Sequence, residues 1–190
     1  MKLYLFICLF FITAFAQENE PLLPLQVGTF WVYNVEIFDT SNDEIIANWQ
    51  DSLSVVATFP VADSLWYLIS DYTGMDSSYS EYFLGLFDGG CYRTSIDGTS
   101  FLEPELFLPP SDRLFKYYET SEGKLYLNAI NVPYSSPIGE FETYEFVLAK
   151  SGKDETRIYV APGTGVIAIE DLLDGIPAYR IALVEYREEN

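Results

Sequence analysis

Apolar and polar residues alternate with a period of two along most of this chain. From Glu142 to Leu148 the apolar Tyr144, Phe146 and Leu148 are separated by Thr143 and Glu145, which turns one pleat face inward. Ser151-Gly152-Lys153-Asp154 is a cluster of turn formers, and Thr156 to Val160 is rich in β-branched and aromatic residues. Two such runs around a short link predict a hairpin. Pro162-Gly163-Thr164-Gly165 then breaks the strand, since Pro162 lacks a ladder donor and the glycines tolerate positive φ. Val166 to Ile169 resumes it, Asp174-Gly175 turns the chain, and Ala178 to Tyr186 is the last strand. The glycine corner is structural: neither Gly-Lys-Ser/Thr nor a predicted helix follows it, as a phosphate loop requires.

The same period predicts a first strand at Val27 to Ile37, with Val27, Trp31, Tyr33, Val35 and Ile37 on one face and Trp31 as a core anchor. Ile45 to Phe59 makes a long strand or two, closed by Pro60. Ser64 to Tyr72 is apolar on both faces, which suits a central strand covered on two sides. Gly74 to Ser80 is a predicted loop, and shorter strands follow at Glu81–Phe87, Tyr92–Ile96, Leu114–Tyr118 and Lys124–Val132. Turns at Asp88-Gly89-Gly90, Asp97-Gly98 and Ser121-Glu122-Gly123 separate them. Residues 101 to 113 carry Pro104, Pro109 and Pro110, and Ser111 caps at most one helical turn there. No amphipathic helical run of three turns occurs. The expectation is all-β, with about nine to eleven antiparallel strands in one domain. A closed or strongly curved, barrel-like sheet is favoured because closure removes edges; a β-sandwich is the alternative.

The first residues change the picture of where this domain works. Lys2, the apolar run Leu3–Ile12 and Ala14-Phe15-Ala16 have the form of a secretory signal peptide at 1–16, too short to span a bilayer. Cys8 lacks the small residue expected before a lipidated cysteine. Cleavage after Ala16 leaves 174 residues, with a lead-in at 17–25 and a single β domain at 26–190. The mature chain then has no membrane span, and its address is the periplasm, the cell surface or the exterior. Its 9 basic against 29 acidic residues give a net charge of −20, which repels nucleic acid and anionic membranes. At 49% hydrophobic and 17% aromatic residues the chain is nonetheless a folded domain, with its scattered acids serving solubility. Only Cys91 survives cleavage, so no internal disulfide forms, and nothing near it in sequence activates the thiol.

Candidate chemistry is narrow. The absence of histidine excludes Ser-His-Asp and Cys-His catalysis and His-ligated zinc. No cofactor fingerprint is present, and the acidic loops Asp71–Asp76 and Asp88–Asp97 do not match a calcium loop. Paired carboxylates, as in a hydrolase, remain one reading, and with 29 acids such pairs arise by chance. Aromatic residues are the surplus. Trp49 lies between Asn48 and Gln50, a ring beside amides that suits sugar stacking. Trp49, Trp66, Tyr67, Tyr144 and Phe146 are the candidate ligand-binding side chains, either for a glycan or for an apolar small molecule or acyl chain in a concave sheet. Their ordinary role is to fill a core.

Gly28-Thr29-Phe30-Trp31-Val32-Tyr33, Gly139-Glu140-Phe141-Glu142-Thr143, Tyr159 to Ile167 and Leu183-Val184-Glu185-Tyr186 together resemble a group of functionally uncharacterised secreted bacterial all-β proteins. That group is loosely similar to periplasmic lipoprotein carriers, whose curved antiparallel sheet holds acyl chains. This sequence departs from the carriers in lacking the helices that line their concave face. These motifs are structural in type and carry no activity; the expectation for the chain as a whole is an exported, non-enzymatic binding protein, with a surface glycan-binding or adhesion module and a carboxylate-dependent hydrolase as the alternatives.

Overall fold

The computed structural model describes residues 21–97 and 100–188. The signal-peptide segment, Cys8 included, lies outside them. The strands are β1 (Phe30–Asp39), β2 (Glu44–Val61), β3 (Ser64–Thr73), β4 (Ser78–Phe87), β5 (Gly90–Thr94), β6 (Ile96–Asp97), β7 (Ser100–Phe101), β8 (Glu105–Leu108), β9 (Tyr118–Glu119), β10 (Lys124–Ser136), β11 (Gly139–Ala149), β12 (Glu155–Ala161), β13 (Gly165–Leu173) and β14 (Ile176–Arg187). No helix forms among the described residues. Twelve strands build one antiparallel sheet in the order β8-β5-β4-β3-β2-β1-β14-β13-β12-β11-β10-β9, and β6 and β7 form a separate ribbon. The all-β, antiparallel expectation holds, and there are more strands than the turn spacing suggested.

Most neighbours in that sheet are sequential hairpins, because tight turns with the right residues join them. Asp88-Gly89 and Asp174-Gly175 both carry two successive positive φ angles, 52° and 76°, then 52° and 82°. That is the primed turn whose twist matches the flanking strands. The result is two meanders, and the pairing of β1 with β14 joins them, with Trp31 opposite Tyr186 and Val35 opposite Ile181.

The sheet is bent round on itself. Laid flat, twelve strands would separate its ends by about 50 Å. Yet Leu114, six residues after β8 ends, bridges to Leu127 of β10 near the opposite edge, and six residues reach only about 20 Å. Leu108 of β8 and Leu125 and Leu127 of β10 accordingly join one buried core with Trp31, Ile69, Phe146, Ile158 and Leu183. Closure by hydrogen bonding does not occur: β8 and β9 end the sheet and do not pair with each other. A chain segment, Pro109 to Tyr117, crosses the seam instead. Pro109 and Pro110 follow β8 directly, and without backbone N–H groups they cannot extend its ladder.

Several local expectations change. Pro60 lies within β2, opposite Leu65, and β2 is one strand bent by a bulge between Val55 and Ala57. β4 begins at Ser78, inside the predicted loop. Ser111 opens a turn, and of Leu114–Tyr118 only a single bridge at Leu114 and the two residues of β9 pair. Thr143 and Glu145, the polar positions of the β11 alternation, are both buried. The distal half of the β10–β11 hairpin is the reason: it bends back over the outer face, where the Tyr134 ring packs against Tyr159 at 4.5 Å, tilted by 38°, and its hydroxyl donates to Glu170 at 3.1 Å. Glu145 is satisfied there by Asn128 Nδ2 at 2.5 Å and Arg157 at 3.7 Å.

The Pro162–Gly165 corner closes one end of the interior. Trp31 Nε1 donates to the Thr164 carbonyl at 2.7 Å, Tyr186 Oη to the Gly163 carbonyl at 2.9 Å, and Gly163 N to the Pro21 carbonyl at 2.9 Å. Through this tie the lead-in enters the core, with Leu23 only 6% exposed. Gly165 has φ of +95°, and a Cβ there would lie 3.3 Å from Trp31 Nε1 and 3.4 Å from Pro24 Cδ. Gly165→Val is expected to cost about 1–3 kcal/mol, read by urea denaturation. Gly152→Val, whose Cβ would meet nothing within 4 Å, isolates the backbone part of that cost. A chain ending at Gly175 loses β14, the partner of both β1 and β13, and is expected to show no cooperative melt; a melt like that of the full domain would contradict this account.

Candidate functional site

Alternation along each strand sorts the sequence candidates by face. Leu53 faces the core, so Trp49, four residues away in unbroken register, shares that inward face, and Asn48 and Gln50 point outward. The ring and its flanking amides are thus on opposite sides of the sheet. Trp49 is half-buried and its Nε1 has no partner. Tyr67, Tyr144 and Phe146 belong to the interior, Phe146 with no exposed surface. Trp66 faces the other way, because Tyr67 and Ile69 take the inward positions of β3. It lies over Gly85, where a Cβ would meet its ring at 2.8 Å, and packs at 5.6 Å from Phe87, which stacks on Tyr92. The five candidates therefore do not converge.

What does converge is an inner hollow of about 210 Å³ in the core, between the two meanders. Leu23 and Trp31 stand near its corner end, Leu53, Ile69, Leu84, Ile169 and Ile181 form its walls, and Asp51, Asp71 and Arg93 stand at its polar end. None of the five sequence candidates lines it. A larger hollow of about 510 Å³ lies along the seam between β8 and β9 and shares Arg93, Phe107 and Ile169 with the first. Its rim carries Glu105, Glu119, Glu122 and Asp171 against Arg93 and Lys150.

The polar end is uneven in its satisfaction. Asp51 accepts the Gly74 amide at 2.8 Å. Asp171 takes Lys150 Nζ at 3.0 Å and the Thr156 hydroxyl. Tyr33 Oη donates to the Val166 carbonyl at 3.1 Å. Burial, then repulsion from Asp51, holds the Asp71 carboxyl above the usual carboxylate range. Burial and then Asp71 push Tyr82 up, and burial followed by Asp51, Asp171 and Asp71 push Tyr179 up. These side chains therefore sit in one negative field. Their signal in the sequence was a charged residue at an inward position of an otherwise apolar strand: Asp51 two places from Leu53, Asp71 two places from Ile69. Reading it requires knowing which face is inward.

Elsewhere, Cys91 is a free, buried thiol whose pKa burial pushes up to about 12, so it stays protonated and inert. No group of three or more potential metal-ligating side chains occurs among the described residues, and no helix there is long and apolar enough to cross a membrane. The exposed ring pairs Tyr72–Tyr79 and Tyr117–Tyr126, each with centroids 4.8 Å apart, are tilted by 47° and 53° and make no flat platform.

With the fold described, its likeness to known proteins can be stated. No protein-family model matches the chain, and no curated protein matches it. Two solved structures share its fold. One is a candidate exported protein with a YmcC-like fold from Bacteroides fragilis, with TM-score 0.61 and 9% identity, covering 89% of this chain and 100% of its own. The other is a candidate lipoprotein from Parabacteroides distasonis, with TM-score 0.57 and 12% identity, covering 90% of this chain and 100% of its own. The chain is similar to both in fold.

Asp71 offers a test of the polar end. A carboxyl whose pKa is raised by folding contributes stability that is fully present below its unfolded value and is lost as pH rises through the folded one. Asp71→Asn is therefore expected to raise the melting temperature at pH 7, with the gain vanishing near pH 3. Thermal unfolding at the two pH values checks this; a lower melting temperature at pH 7 would mean that Asp71 is structurally engaged.

Proposed function

We propose that this is an exported, non-enzymatic binding protein whose inner hollow takes a small apolar or amphipathic molecule. The observation that carries the reading is the hollow itself: about 210 Å³ walled by Leu, Ile and aromatic side chains, with Asp51, Asp71 and Arg93 at one end and wall residues such as Leu53, Ile169 and Ile181 only partly buried. An engineered cavity of about 150 Å³ lined only by apolar side chains binds benzene, and the apolar part of this hollow offers a comparable wall. A single ring or a chain of about eight carbons is the matching size, and a longer acyl chain would have to continue into the seam hollow. Eight methylenes at about 0.8 kcal/mol give about 6 kcal/mol, equivalent to a Kd on the order of 40 μM, before ordering costs weaken it for a plain hydrocarbon. Export is supported by the signal-like segment at 1–16 and agrees with the descriptions of the two proteins that share the fold. The glycan reading has less behind it, since the lining of the hollow contains no Asn or Gln to bond sugar hydroxyls.

Titration calorimetry with 1-octanol, a neutral probe, is expected to show saturable binding with about one site per chain. Leu84→Trp, which fills the hollow from β4, is expected to abolish it while the domain stays folded by near-UV circular dichroism. Binding that survives in Leu84→Trp would remove the hollow from consideration.

A further inference from the structure

The segment that crosses the seam, Pro109 to Tyr117, has a conformation that its own packing does not explain. Seven non-glycine residues among those described have positive φ, and six of them are Asp, Asn, Ser or Ala. The seventh is Phe115, at 58°. A bulky side chain in the left-handed region crowds its own backbone and is an outlier there. Burial does not compensate, because Phe115 is 59% exposed. Its backbone is pinned instead: the Phe115 amide donates to the Leu127 carbonyl at 2.9 Å, and Leu114 bridges Leu127. Leu114, at 45%, and Tyr117, at 57%, are exposed beside it. A strained position that keeps an apolar ring in solvent calls for a contact outside the chain.

Charge decides what kind of contact. Residues 17–108, which build the first meander, carry 15 acidic residues and a single cation, Arg93. Residues 109–190 carry 14 acidic and eight basic ones, so the crossing segment opens the less acidic half. Arg113 and Lys116 flank its exposed apolar side chains and are themselves exposed. Arg113 lies 3.7 Å from Asp112 in a solvent-screened pair, and Lys116 Nζ lies 4.9 Å from the centre of the Tyr118 ring. Apolar and aromatic side chains flanked by long cationic ones match a phospholipid interface. The hydrocarbon enters the acyl boundary, the tyrosine hydroxyl stays at head-group depth, and Arg and Lys extend to the phosphates. A second copy of this chain fits poorly, since two molecules with a mature charge of −20 repel.

We propose that the crossing segment docks this protein on a zwitterionic phospholipid surface, with Leu114, Phe115 and Tyr117 in the interface and Arg113 and Lys116 at the lipid phosphates. The acids of the first meander oppose approach to a strongly anionic surface. Docking places the seam hollow, lined by Glu119 and Thr120 just after the segment, close to the lipid. The inference goes beyond the hollow reading and does not require it.

The test is flotation of the full mature domain with phosphatidylcholine vesicles at pH 7, where the protein is expected to rise with the lipid. Phe115→Gly is the decisive variant, because glycine accepts the left-handed conformation and removes the ring. It is expected to melt at a higher temperature than the native domain and to partition onto vesicles about tenfold more weakly. A ring with a structural role would give a lower melting temperature, and that result overturns the inference. Lys116→Glu is expected to weaken partition by about threefold with melting unchanged. Native-like partition in either variant places the lipid contact elsewhere and overturns the inference. Free phosphocholine is expected not to release the bound protein, because the bilayer supplies the apolar contact; release would mean a head-group site and overturn docking by insertion. Absence of flotation overturns it outright and leaves the segment to a protein partner. None of these outcomes bears on the octanol titration, so the two readings fail separately.

Discussion

The pairing of β1 with β14 is the interaction on which this molecule depends. Every other strand junction in the main sheet except that of β5 with β8 joins sequential neighbours, and such ladders form from local turns. The β1–β14 ladder joins residues about 150 positions apart, so its loop-closure cost is repaid only when the corner contacts form with it. Trp31 makes both: it sits opposite Tyr186 in the ladder and donates to Thr164 in the corner. Gly165 is required because Trp31 and Pro24 occupy the space that a side chain would take. The lead-in, the corner and the two terminal strands are thus one unit, which closes one end of the interior.

The other end is left polar and imperfectly paired. A domain selected for stability alone would not place Asp71 beside Asp51 at the end of an apolar hollow, since burial and mutual repulsion both oppose ionisation there. The outer face shows the contrast: Glu145 is more deeply buried than the half-buried Asp71, and Asn128 and Arg157 satisfy it.

The seam follows from the same economy. Twelve strands curled about one core bring their edges together, but the short β8, stopped by Pro109 and Pro110, and the two-residue β9 cannot form a ladder. The crossing segment joins the edges covalently and leaves between them the larger hollow that reaches the polar end. Short edge strands also limit pairing with other chains.

Much of this was legible in the residues. Period-two alternation, the Asp-Gly turns and the Pro-Gly-x-Gly corner determined an antiparallel all-β chain, its hairpins and Trp31 as a core anchor, because each depends on contacts within a few residues or on one residue's backbone freedom. Which face of a strand turns inward, and what meets it there, depends on partners far away in the chain. Trp66 and Tyr67 are adjacent and equally aromatic, and only the sheet's curvature sends one outward over Gly85 and the other into the core. Asp51 and Asp71 looked like two of many solubilising acids until β2 paired with β3 and the sheet curled over them. Thr143 and Glu145 looked like surface residues until the β10–β11 hairpin bent across them. The sequence by itself therefore determined the elements and the inventory of excluded chemistries. The tertiary structure alone decided the curl, the open seam and the acidic end of the hollow, because long-range register assigns each side chain its face and its neighbours.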